Sequence, residues 1–145
     1  MKLTPEDTQA VISFVREGLG CGCPDEVLQD IRIEADPYSF AGQPIDYLMR
    51  VGGRLLVAIS MSFRWAVVTG QLRRLLETGK NLRDQEGFNR FRLVITSNEP
   101  ENVTAALQEQ FVGLTGMDNK VHLHVVRPSA LPSCLISCSQ SRQVK

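Results

Sequence analysis

Apolar and polar positions follow two rhythms along this chain, and the changes between them mark out the elements. Val11, Phe14, Val15 and Leu19 recur at helical spacing and predict an amphipathic first helix. Thr4 is placed to cap it, with Pro5 at the first helical position and Asp7 three residues after the cap. Gly18 and Gly20 supply its stop. A short second helix is expected from Pro24 to about Asp30. Ile31 to Ala35 then alternates apolar and polar, as a half-buried strand does, until Asp36-Pro37 ends it. Two strands follow, Ile45 to Val51 and Arg54 to Ser60, joined by Gly52-Gly53, which suits a tight hairpin. The second of these is apolar on both faces and predicts a strand inside a sheet.

Helical spacing returns with Phe63, Val67, Val68, Leu72, Leu75 and Leu76, behind a cap at Ser62 and with a stop at Gly79. A polar loop, Lys80 to Asn89, is expected before the strand Arg90 to Thr96. Asn98 is the expected cap of the next helix, which carries Val103, Ala106, Leu107, Gln110, Phe111 and Leu114 at helical spacing. Asp118-Asn119 makes a turn into the strand Val121 to Val126, and Leu131 to Ile136 reads as a short edge strand. Helices between the later strands imply parallel crossovers. The expected fold is α/β, with α+β as its near alternative. It has a mixed sheet of about five strands, an antiparallel hairpin, two βαβ-type crossovers and helices packed on the sheet. One domain is expected over residues 1–136, and the polar, aperiodic residues 137–145 read as a flexible tail.

The 145 residues suit one domain, and 43% apolar with 22% charged residues is ordinary for a globular chain. Formal net charge is zero, which gives no support to nucleic-acid binding. Twelve of the sixteen basic residues are arginine, the cation suited to bidentate contact with carboxylate or phosphate. No run approaches the roughly 18–20 apolar residues that span a bilayer. The first residues lack the apolar core of a signal peptide. The expectation is a cytoplasmic protein with reduced thiols.

Four places hold candidate chemistry. In Gly20-Cys21-Gly22-Cys23-Pro24, two thiols stand at a helix entrance, where unpaired N–H groups favour a thiolate. Cys21 and Cys23 are therefore the candidates for nucleophilic or redox chemistry, although Asp25 and Glu26 oppose a further anion. The plainer reading is a glycine-rich turn with small buried fillers. His122 and His124 share one strand face. With Cys21 and Cys23 they form a ligand set of the type that holds zinc or iron, and Cys134 and Cys138 are further thiols, but the spacing matches no established zinc pattern. At the carboxyl ends of the parallel strands, Ser62, Ser97, Asn98 and Arg127 make a candidate anion site, or serve only as helix caps. Phe88, Arg90 and Arg92 make a candidate docking surface for a partner or an acidic ligand, the two arginines sharing a face.

Several enzyme classes lack their motifs. There is no phosphate-binding glycine loop, no Gly-x-Gly-x-x-Gly after a strand and no Gly-x-Ser-x-Gly elbow. The order helix, three strands, helix, strand is also that of magnesium nucleases of the restriction-endonuclease type. These need acids on adjacent strands, and the strand beside Asp46 carries neither acid nor lysine. The expectation is a binding or regulatory module acting through protein contact, with self-association as one form of it. A thiol redox or metal protein and a small-anion enzyme are the alternatives.

Overall fold

The computed structural model describes residues 4–20, 22, 24–61, 68–114 and 119–136, with the backbone alone at Asp25 and residues 68–70. A five-stranded mixed sheet forms its centre, in the order β1-β2-β3-β4-β5. The strands are β1 (Ile31–Ala35), β2 (Tyr47–Val51), β3 (Leu55–Ser60), β4 (Arg90–Thr96) and β5 (Val121–Val126). β1, β2 and β3 form an antiparallel meander, and β3, β4 and β5 run parallel. The expected α/β fold with a mixed sheet is the fold observed. All six residues of β3 are buried, as its two-faced apolar run requires of a central strand. Among the described residues, no helix is long and apolar enough to cross a membrane.

Each sheet face carries its own core. Helix α1 (Pro5–Ser13) covers one face and continues through a wider π turn, Phe14–Gly18. It starts where the sequence places it: Asp7 N–H donates to Thr4 Oγ1 at 3.0 Å, and the Asp7 carboxylate accepts from Thr4 N–H at 3.2 Å. Val11, Phe14, Val15 and Leu19 pack on Tyr47, Met49, Val57 and Ile59. The opposite face is covered by α3 (Val68–Glu86) and α4 (Pro100–Val112), with Leu72, Leu75, Leu76 and Leu107 packed on Leu56, Phe91 and Leu93.

Four local expectations are corrected. First, α3 runs through Gly79 to Glu86 instead of ending at Gly79. The glycine makes room for a neighbour: a Cβ there would stand 2.0 Å from the Phe91 ring. The stop is Gly87, at φ +79°, so the polar stretch after Gly79 is mostly helix. Second, the residues Leu131 to Ile136 are not a strand. A 3-10 turn, Pro128–Ala130, leads to a helical turn over 133–136. Leu131 and Leu135, four apart, drop into the α1-side core, and Tyr47 Oη donates to the Leu135 carbonyl at 3.0 Å. Third, the cap of α4 is Glu99, because Pro100 takes the first helical position. Fourth, β2 begins at Tyr47, after a tight turn in which Ile45 N–H donates to the Gln43 carbonyl at 2.8 Å. The expected cap at Ser62 and the expected tail over residues 137–145 lie outside the described residues.

Candidate functional site

The α1-side face is not apolar throughout. β4 places Arg90 and Arg92 on it, and β5 places His122 and His124 beside them, each pair two residues apart and so on one side of its strand. The register sets Arg90 opposite Leu55 and Arg92 opposite Val57, with His122 across from Arg92. Each arginine leans diagonally toward the carboxyl end of β5. Arg90 Nη1 lies 3.0 Å from His122 Nε2, and Arg92 Nη1 lies 2.8 Å from His124 Nε2.

A third arginine, Arg54, is brought beside the start of β4 by the hairpin. Gly52 and Gly53 take φ of +57° and +69°, and Arg54 N–H closes the turn on the Val51 carbonyl at 3.0 Å. The Arg54 carbonyl then accepts from Asn89 N–H at 2.9 Å and Arg90 N–H at 3.1 Å, which pins the hairpin end to the start of β4. The other side of the hairpin rests on α2 (Asp25–Leu28): a Cβ on Gly52 would stand 2.5–2.8 Å from Val27 atoms. Gly52 N–H also donates to the Asp30 carbonyl at 2.7 Å. The outcome is an open hollow of about 250 Å³ lined by Gly22, Pro24, Arg54, Leu55, Asn89, Arg90 and Arg92.

The electrostatics of this hollow are one-sided. Among the described residues, no carboxylate pairs with Arg54, Arg90 or Arg92. Arg92 is half-buried, and its Nε–H is shielded from water without an acceptor. Burial, and then the charge of Arg90, push its guanidinium below the ordinary arginine value. It still carries its charge, because arginine does not lose its proton in proteins. His124 is pushed down to about 4, by burial first and then by Arg92 and His122. Guanidinium can only donate, so His124 Nε2 accepts from Arg92, and the ring is neutral with its proton on Nδ1. The hollow can therefore attract, desolvate and orient an anion, and it repels a metal cation.

The residues singled out in the sequence separate into distinct places. Cys21, Cys23, Cys138 and Ser62 lie outside the described residues, and Cys134 is partly buried at the α1-side core. Among the described residues, no three of His, Cys, Asp and Glu come together in a way that would hold a metal ion. His124 has its Nε2 lone pair engaged by Arg92, which leaves that nitrogen unsuited to zinc or iron. Ser97, Asn98 and Arg127 do meet at the carboxyl end of β5, but they engage one another and α4. Arg127 donates to the Asn98 carbonyl at 2.7 Å and to both Glu101 oxygens at 3.0 and 3.2 Å, while Ser97 Oγ accepts from Glu99 N–H at 3.1 Å.

Phe88 is parted from Arg90 and Arg92. It packs against the α3–α4 core and borders a different hollow, of about 300 Å³, with Arg83, Asp84, Asn89, Asn119 and Lys120. Asn89 stands between the two hollows and accepts from Lys120 Nζ at 3.0 Å. Arg54 and Asn89 are the site residues that sequence reasoning missed. Their one local signal is position, Arg54 just after the Gly-Gly turn and Asn89 just before a strand. Fold and site together define an α/β domain with an arginine-lined hollow at the amino ends of its parallel strands. Neither protein-family models, nor curated proteins, nor solved structures give a match to this chain.

Proposed function

We propose that this chain is a binding module that recognises an acidic segment of a protein partner through the hollow of Arg54, Arg90 and Arg92. One observation carries the reading: three arginines line one hollow with no carboxylate partner among the described residues. Arginines that serve stability alone usually find acids, because an unpaired, partly desolvated charge opposes folding. The hollow is smaller than the roughly 300–1,000 Å³ usual for whole small ligands, so it suits one charged group of a larger partner. Self-pairing of this face about a two-fold axis would set arginine against arginine, which disfavours that form of association.

Fluorescence anisotropy with a labelled hexaglutamate peptide tests the reading. The natural chain is expected to bind it, to ignore a hexalysine control, and to lose affinity as salt rises through the range where the Debye length falls below about 10 Å. The combined R54A/R90A/R92A variant is expected to weaken binding by at least about tenfold. Equal binding by the variant would remove the hollow from the function.

A further inference from the structure

Resting on that reading, we infer that the group the hollow takes is a phosphate monoester on a side chain of the partner, and not a carboxylate. Arg54, Arg90 and Arg92, three residues of fixed positive charge, line a hollow of about 250 Å³. A carboxylate delivers one negative charge and two acceptor oxygens. A phosphate monoester delivers about −1.5 to −2 and three strong acceptors at neutral pH, and so can engage one guanidinium with each oxygen.

The immediate surroundings favour the same group. Arg92 has Nη1 committed to His124, and its Nε–H has no acceptor. An anion with several oxygens can meet the Nη donors that Arg92 leaves open while also meeting Arg54 and Arg90, which line the same hollow. His124 takes one Arg92 bond without adding an anion, so it orients the guanidinium and leaves its charge for the ligand. Asn89 adds an uncharged polar group to the rim, and Leu55, Pro24 and Gly22 form a wall without charge. A phosphodiester backbone offers only one negative charge per phosphate, less than a phosphate monoester brings to the three arginines.

Nuclear magnetic resonance of the arginine Nε–H groups reads the site directly. The probes are N-acetyl-phosphoserine-N-methylamide, the matching capped aspartate, inorganic phosphate and a short single-stranded DNA, each added to the full chain. The capped phosphoserine is expected to shift the Nε–H signals of Arg54, Arg90 and Arg92, and to bind at least about tenfold tighter than capped aspartate. Arg54 and Arg90 are exposed, so R54A and R90A retain the fold, and each is expected to weaken phosphoserine about fivefold or more. The Arg50 signal stays unmoved as an internal control. Capped aspartate matching phosphoserine overturns this inference but leaves the acidic-ligand reading intact. Tighter binding of inorganic phosphate, or of the DNA, overturns it in favour of a free anion or a nucleic acid. No shift at these arginines with any probe ends both readings.

Discussion

Arg50 on β2 and Arg92 on β4 project from opposite faces of the same sheet, each toward charged neighbours, and their surroundings differ in one respect. Arg50 is saturated. It gives two bonds to Glu86 at 2.8 and 3.1 Å and one to Glu34 at 3.0 Å, tying the end of α3 to β1 and β2. Those acids raise Arg50 above its ordinary value, and Arg50 in turn holds the Glu86 carboxyl below its own. Arg92 has burial without acids, and its value is displaced downward. Both arginines are partly buried. What separates a brace from a binding site in this fold is therefore the balance of charge around a guanidinium, and not the presence of arginine.

The comparison breaks if the two residues respond alike to substitution. R50A is expected to cost about 1.5 kcal/mol in urea denaturation, since three charge-assisted bonds partly screened by water are lost and two acids are left without their cation. Binding of the acidic peptide should be unchanged in that variant. A loss of binding equal to that of R54A/R90A/R92A would show that the two clusters act as one.

Acid separates the clusters by its pH window. His124 titrates near 4 in the folded chain against about 6.5 unfolded, so the unfolded state binds more protons between these values. Stability is then expected to be fully present above about pH 6.5 and to fall as pH drops toward 4. Solvent screening of a partly exposed ring limits the loss to the order of 1 kcal/mol. Glu86, whose value is depressed by Arg50, contributes stability that begins to be lost as pH falls into the ordinary glutamate range and goes on being lost below it. A chemical-denaturation series from pH 8 to 4 on the natural chain and on H124N checks this. An unchanged slope in H124N would remove His124 from the account.

R92M should act with the opposite sign to R50A. Replacing a half-buried, unpaired cation by an apolar chain of similar length removes a desolvated charge and its repulsion from Arg90. A gain of about 0.5–1 kcal/mol is expected, together with loss of peptide binding, the pattern of a site that trades stability for function. Destabilisation equal to that of R50A would mean that Arg92 serves the fold.

The sharing of a face by Arg90 and Arg92, and by His122 and His124, was legible from strand alternation alone, as were the strands that carry them. The meeting of those two pairs was not, because it depends on parallel register between β4 and β5. Arg54 was hidden for a similar reason. Nothing local says that the carbonyl after a Gly-Gly turn will accept from Asn89 and Arg90, thirty-five and more residues away. Gly79 misled because a glycine that yields space to Phe91 and one that stops a helix look the same in sequence. Leu131 and Leu135 already carried helical spacing, but a short apolar run between prolines fits either element until a core is present to receive it.

The smallest effect on stability tests the comparison most directly, by giving the open cluster the acid that the closed one has. Asn89 borders the hollow and accepts from Lys120 through Oδ1, a bond that an aspartate would keep. N89D adds one carboxylate at the rim without a change of size. Its stability should move by only a few tenths of a kcal/mol, as exposed ion pairs do. Its affinity for the capped phosphoserine should fall about tenfold, because the incoming anion then meets a fixed like charge and arginines already partly neutralised. Mass action implies the same from the other side: phosphoserine at a hundred times its dissociation constant should stabilise the natural chain by about 2.7 kcal/mol and N89D at the same concentration by about 1.4. Equal ligand stabilisation of the two chains would mean that unpaired charge at this hollow is not what the ligand reads.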